Sequence, residues 1–203
     1  MKGLIGKIAA RALAAILFAS TTFLIGCVQV WRFPASPVTF APQQEKIRLN
    51  VALLIPEEID QAKWEAFISP VDRARISFGP LLRTNIENVA RSAFSNVQLM
   101  AGKEATPSAK AILTPKLVSI ERTQPPTIGG DQTTTMILNW TLTSNRGDVV
   151  WAETVKGEST TKMGFNPKKS AKQQSEEAAQ MLFRDSYAKL LSSRQIRDFA
   201  AKQ

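Results

Sequence analysis

Between Lys46 and Pro56 the chain alternates, with Ile47, Leu49, Val51, Leu53 and Ile55 set against Arg48, Asn50, Ala52 and Leu54. A period of two predicts a strand with one strongly apolar face, stopped by Pro56. From Pro80 to Phe94 the period lengthens to that of a helix. Leu82, Ile86, Val89 and Ala93 form one stripe, and Pro80 sits in the first turn, where its missing N–H costs nothing. Asn96 to Met100 and Ala111 to Glu121 read as further strands. Thr133 to Thr143 alternates Met136, Leu138, Trp140 and Leu142 with Ile137, Asn139, Thr141 and Thr143. The turn Asn145-Arg146-Gly147-Asp148 returns it into Val149 to Lys156 as a hairpin. Ser170 to Leu191 is a second long helix, with Ala178, Ala179, Leu182, Phe183, Leu190 and Leu191 toward the core, and Gln195 to Ala201 adds a last turn or two. Residues 57 to 77 show no regular period, and Trp64, Phe67, Ile68 and Ile76 are expected to anchor a loop or lid there.

This order of elements predicts an α+β fold: a single two-layer domain over residues 46–203, with a mixed, mostly antiparallel sheet of about five strands and two main helices on one face. Thr and Asn at alternate hairpin positions leave the other face wet or covered by a partner. The opening strand KIRLNVALLIP and the segment FGPLLRTNIENVARSAFSNV, Phe78 to Val97, resemble small periplasmic lipoproteins whose α/β domain is similar to the N-terminal domain of the Tol propeller protein. That group includes penicillin-binding-protein activator lipoproteins and accessory lipoproteins of export systems. The resemblance spans roughly residues 46 to 160. It implies the fold and carries no site residue with it.

The N-terminus has a different pattern. Lys2, Lys7 and Arg11 precede an uncharged run from Ala12 to Ile25, the anatomy of a secretory signal peptide over residues 1–26. The run ends in Leu24-Ile25-Gly26-Cys27, which resembles the bacterial lipobox, in which the thiol receives a diacylglyceryl group and becomes residue one. Two alternatives remain: a cysteine that merely follows a leader, and an uncleaved signal anchor from Ala12 to Trp31, just long enough to cross a bilayer. Residues 27–45, with Pro34, Pro37 and Pro42, are expected to form a lipid-anchored tether. Within it Trp31, Arg32 and Phe33 either rest among lipid headgroups or fold back onto the domain. Val28 stands where enteric bacteria place an inner-membrane retention Asp. By resemblance to that sorting rule, the expected location is the periplasmic face of the outer membrane.

Composition changes this picture only in part. An apolar content of 44% and a charged content of 21% suit a folded domain. Removal of residues 1–26 leaves 177 residues and lowers the net charge from +9 to +6, because three basic and no acidic residues depart. With the one cysteine acylated no disulfide can form, so stability must come from a hydrophobic core. The positive balance favours anionic surfaces such as lipid headgroups, lipopolysaccharide or acidic polymers.

Candidate chemistry is sparse. The chain has no histidine, which removes the commonest general base and neutral metal ligand, and acylation removes the thiol. Ser159-Thr160-Thr161-Lys162 has the Ser-x-x-Lys spacing of penicillin-recognising enzymes but neither a Ser-Asp-Asn nor a Lys-Thr-Gly companion; it reads as an exposed turn after a strand. Glu57, Glu58, Asp60 and Glu65 offer an acid pair for glycan hydrolysis or, more simply, a solvated loop. Arg146-Gly147-Asp148 spells an adhesion tripeptide at a position where a hairpin turn needs those residues for backbone reasons. Gly129-Gly130 lacks the helix and lysine of a phosphate loop. No cofactor, metal site or catalytic residue is expected.

Binding remains. Lys156, Lys162, Lys168, Lys169 and Lys172 concentrate positive charge between the last hairpin strand and the last helix, against Glu158 alone. Three of them oppose the dipole at that helix start, a conflict that an anionic partner would relieve. The expected function is that of a non-catalytic, membrane-anchored envelope lipoprotein that docks onto another envelope protein as an assembly or regulatory subunit. The alternatives are a periplasmic carrier or chaperone for lipid or lipopolysaccharide, and a small glycan-acting enzyme. Because the protein is expected to be exported, nucleic acid is not expected as a partner. A cavity lined by Trp140 and Phe183 would favour the carrier, and an exposed sheet edge would favour docking.

Overall fold

The computed structural model describes residues 28–33, 36–40, 45–67, 73–100, 109–125 and 127–203. Cys27, the signal segment and Ile68 lie outside the described residues. The chain divides into two units, one of residues 1–31 and 65–76 and the other of residues 32–64 and 77–203.

A three-stranded sheet is built from β1 (Val28–Arg32), β3 (Lys63–Phe67) and β4 (Arg73–Ser77), in the order β1-β4-β3. An Arg75–Glu65 ion pair of 2.7 Å joins β4 to β3, and Ala74 and Ile76 are fully buried. These strands replace the irregular segment expected at 57–77, of which only α1 (Glu57–Asp60), a single helical turn after Pro56, interrupts the extended chain. β3 and β4 are short, and the period-two signal is too brief in each to register.

The larger unit is organised by a five-stranded sheet in the order β5-β2-β6-β7-β8, from β2 (Ile47–Leu53), β5 (Phe94–Leu99), β6 (Ala111–Thr123), β7 (Asp131–Ser144) and β8 (Val149–Lys162). β2 runs parallel to both β5 and β6, and β6, β7 and β8 are antiparallel. The mixed, mostly antiparallel sheet with α2 (Gly79–Ala93) and α3 (Pro167–Ser192) packed on it is the expected α+β arrangement, and α4 (Arg194–Ala200) follows. The predicted stripe of α2, Leu82, Ile86, Val89 and Ala93, is fully buried, as are Ala178, Leu182, Phe183 and Leu190 of α3. On β7 the alternation is complete: Gln132, Thr134, Met136, Leu138, Trp140 and Leu142 are buried, and Thr133, Thr135, Ile137, Asn139, Thr141 and Thr143 are half-exposed on the opposite face. That face closes its own hydrogen bonds, Thr133 to Thr160 at 2.9 Å and Asn139 Nδ2 to Thr154 Oγ1 at 2.9 Å.

α3 approaches β8 closely because Gly157 has no side chain. A Cβ there would stand 2.2 Å from Ala178 O and 2.5 Å from Leu182 Cβ. β8 also runs six residues further than the hairpin pattern suggested, so Ser159 to Lys162 is strand and not turn. Polar pairing holds this extension in place of apolar burial, with Ser159, opposite Thr134, donating to Glu177 Oε2 at 2.7 Å.

Within the expected tether, 27–45, the described residues are ordered against the rest of the chain or in strand. Val28–Arg32 forms β1, Trp31 and Phe33 are buried, and residues 36–40 lie as a strap on the helices. Val38 N donates to Asn85 Oδ1 at 2.7 Å, Asn88 Nδ2 donates to Val38 O at 2.6 Å, and Phe40 stacks on Tyr187 with centroids 4.5 Å apart. Proline keeps the strap extended, and two helix asparagines supply the donors and acceptors that an extended segment needs when it is not in a sheet.

Candidate functional site

α3 meets β7 and β8 through two kinds of contact. Toward the Arg146 turn the contact is dry, Leu138, Trp140, Leu142 and Val155 being buried with Leu182, Phe183, Leu190 and Leu191. The Trp140 indole N–H donates to Ser186 Oγ at 3.0 Å, so the ring buries its polar atom satisfied.

At the opposite end, the apex, the contact is polar. Gln174 of α3, fully buried, donates from Nε2 to Gln132 O and, at 3.1 Å, to Ser159 O, while its Oε1 accepts from Thr134 Oγ1 at 2.9 Å. One amide thereby ties the helix to two strands. Arg122, opposite Thr134 on β6, donates to Thr134 Oγ1 at 3.2 Å and to Gln132 Oε1 at 2.9 Å, and its guanidinium stands 5.7 Å from the centre of the Trp64 ring. Burial pushes Arg122 down to about 10, still high enough to keep it cationic at neutral pH, and no carboxylate pairs with it among the described residues.

Beyond this network two loops form the tip. Gly129 N donates to Met163 O at 2.8 Å and Met163 N to Gly130 O at 2.9 Å, which zips the β6–β7 turn against the β8–α3 loop. Gly129 takes φ +84°, a left-handed conformation suited to glycine. Gly164 N donates to Ser170 Oγ, and Asn166 caps α3 by accepting from Lys169 N at 3.0 Å. Between these two anchors Phe165 is 92% exposed, and Ile128 on the neighbouring turn is 56% exposed.

The five lysines expected to form one site are dispersed. Lys156 and Lys162 lie on the open face of β8, six residues or roughly 20 Å apart. Lys156 pairs with Glu158 and Lys162 with Asp131, each at 2.7 Å, and the Lys156 ammonium lowers the Glu158 carboxyl. Lys172 pairs with Glu176 at 3.8 Å. Lys168 and Lys169, at the tip, have no ion pair among the described residues. Phe165, Ile128, Arg122 and Gln174 were not singled out from sequence. Gln174 falls four residues before Ala178 on the helix's buried side, the one available signal.

Other candidates come apart. Ser159 and Lys162 are three apart on a strand and face opposite sides, so the helical Ser–Lys juxtaposition is not made. Asp60 pairs with Arg83 at 2.6 Å, Glu65 with Arg75, and Glu57 accepts from Gln61. The Asp60 hydrogen bond is the main cause that raises Arg83. Arg146-Gly147-Asp148 forms a hairpin turn with Gly147 at φ +92° and Asp148 N bonded to Ser144 Oγ. An open groove of about 350 Å³ is lined by Glu45, Lys46, Ile47, Arg48, Arg197 and Ala200, with Arg48 paired to Glu45 and Arg197 bonded to Leu191 O. Among the described residues no carboxylate cluster could hold a metal ion, and no helix is long and apolar enough to cross a membrane.

No family model and no curated protein matches the sequence. Solved structures do. A Xanthomonas campestris protein described by the family DUF330 matches at TM-score 0.52 with 13% identity, over 86% of this chain and 99% of its own. A minor lipoprotein from Acinetobacter baumannii aligns at TM-score 0.38 with 10% identity, over 78% and 95%. The first of these shows that the fold of this chain occurs in a bacterial protein almost wholly spanned by the match.

Proposed function

We propose that the chain is a non-catalytic bacterial envelope lipoprotein, anchored through Cys27 at the periplasmic face of the outer membrane, that docks onto another envelope protein as an assembly or regulatory subunit. The lipobox and the charged leader support the anchor, and the sequence resemblance to accessory lipoproteins points the same way. Dock, not carry, is favoured because Trp140 and Phe183, which a carrier would turn toward a ligand, are fully buried with the indole N–H already bonded.

The observation that carries the docking reading is the outer edge of β8. Over fourteen residues, Val149–Lys162, it pairs with β7 alone among the described residues. An unpaired edge of that length is a template for another strand. Two other stretches of this sheet are open among the described residues: β5, the opposite edge, is only six residues long, and beyond Leu113, where β6 leaves β2, Pro115 removes a donor and a bulge at Val118 breaks the register.

Site-specific photo-crosslinking in cells tests this. A crosslinking residue at successive positions from Ala152 to Thr160 is expected to trap one discrete envelope protein with a two-residue period, and a residue at Lys116 or Val118 is not. In a Cys27→Ser arm the protein is expected to lose its acyl group and its maturation, staying at precursor mass, and to lose the crosslink with them. Crosslinks of equal strength from β6 and β8, or none from either, would refute edge docking.

A further inference from the structure

We propose that the apex is a membrane-contact tip: Phe165 and Ile128 enter the headgroup zone of an anionic phospholipid surface while Lys168 and Lys169 lie against the lipid phosphates. Both apolar side chains stand on short turns whose backbones are fixed to each other through Met163 and to α3 through Ser170 and Asn166. Their exposure is therefore built in and does not come from a loose loop. Water contact over most of a phenylalanine ring is unfavourable in a structure that had other ways to turn the loop.

The charges beside them select the partner. Lys162 and Lys172 already have carboxylates, so the available cations are Lys168 and Lys169, adjacent to Phe165 in sequence and without an ion pair among the described residues. Val149 supplies the contrast. It is 64% exposed at the other end of the hairpin, yet its turn carries Arg146 and Asp148, one charge of each sign. An apolar residue there has no electrostatic reason to meet an anionic surface. A membrane fits the apex better than a protein groove because two separate side chains project from turn tips and present no continuous apolar patch. Lysine stems reach past such a wedge and place their ammonium groups at phosphate depth. The contact is separate from the β8 edge, so loss of the one leaves crosslinking at the other unchanged.

The test uses the full chain in a Cys27→Ser background, held in vesicles by its N-terminal apolar run, with a nitrobenzoxadiazole label on Phe165→Cys, Ile128→Cys or Val149→Cys. On vesicles of phosphatidylglycerol with phosphatidylcholine, the labels at 165 and 128 are expected to shift to the blue, to be quenched by nitroxide on the acyl chains and to be shielded from iodide. The label at 149 is expected to do none of these. On phosphatidylcholine alone, or at high salt, the protection should fall away. Lys168→Glu and Lys169→Glu should each weaken the contact about fivefold. Misfolding cannot account for that loss, because acidic residues near a helix start favour the fold. Labels at 165 and 128 that remain as open to iodide as the label at 149 overturn the proposal. So does protection that is equal on uncharged vesicles, or that appears only when envelope proteins are added, which would make the apex a protein interface.

Discussion

The two ends of the α3–β7–β8 layer are built by opposite means. Around Trp140 the helix is held by apolar burial, with one hydrogen bond that satisfies the indole. Around Gln174 it is held by hydrogen bonds, with Arg122 half-buried beside them and no carboxylate paired with it among the described residues. Dry contacts contribute free energy in proportion to area, whereas buried polar contacts contribute little net energy and a large penalty when half-made. The dry end therefore secures the fold, and the polar end fixes register and orientation beneath the exposed tip of Phe165 and Ile128.

That contrast can be broken at the dry end first. Trp140→Ala removes the largest fully buried side chain and leaves Ser186 Oγ without its donor, so a loss of about 3–5 kcal/mol is expected in chemical denaturation. A loss below about 1 kcal/mol would mean that the layer does not depend on that end. Gln174→Ala should cost less, about 1–3 kcal/mol, because it takes one buried donor from the Ser159 and Gln132 carbonyls and the acceptor of the Thr134 hydroxyl. Its distinguishing sign is local: amide exchange should quicken from Gln132 to Thr134 and from Ser159 to Thr161 while the strands around Trp140 stay protected. Uniform exchange along β7 would erase the distinction between the two ends. The smallest effect is expected for Arg122→Met, which keeps most of the side-chain volume and removes a poorly solvated cation. Stability should change by no more than about 1 kcal/mol in either direction. A loss of several kcal/mol would show that the guanidinium has an anionic partner, and the polar end would then be as structural as the dry one.

The same division decides what could be read from the sequence. Period-two and helical patterns identify β2, the β7–β8 hairpin, α2 and α3 because each is written in apolar residues facing one core. Where polar residues take the buried positions the pattern stops: Gln132, Thr134, Ser159 and Gln174 read as surface, and the apolar alternation of β8 ends at Lys156. β1, β3 and β4 are too short to show a period, and the strap at 36–40 depends on Asn85 and Asn88, residues that a helical stripe does not explain. The lysine cluster shows the limit of charge density as evidence. Three of the five already have carboxylates: Lys156 has Glu158 two residues along its strand, Lys162 has Asp131 from the neighbouring strand, and Lys172 has Glu176 one helical turn away. The exposed aromatic was visible as a letter but not as a projection, since Phe165 has its meaning only through the Gly164 and Asn166 bonds on either side.

The strap on α2 also sets a length. Had residues 28–45 been free, a protein held at Cys27 could roam tens of ångströms from its attachment point, at about 3.3–3.6 Å per residue of slack. With Ser36 and Val38 fastened to Asn85, at most nine residues separate the acceptor thiol from the helical layer. On the proposed anchor, a leash that short would confine the folded body to a thin shell over the bilayer and hold its effective concentration there in the millimolar range. In such a shell the proposed contact of two lysines and a phenylalanine, too feeble to recruit a protein from solution, would suffice to set which way the body faces.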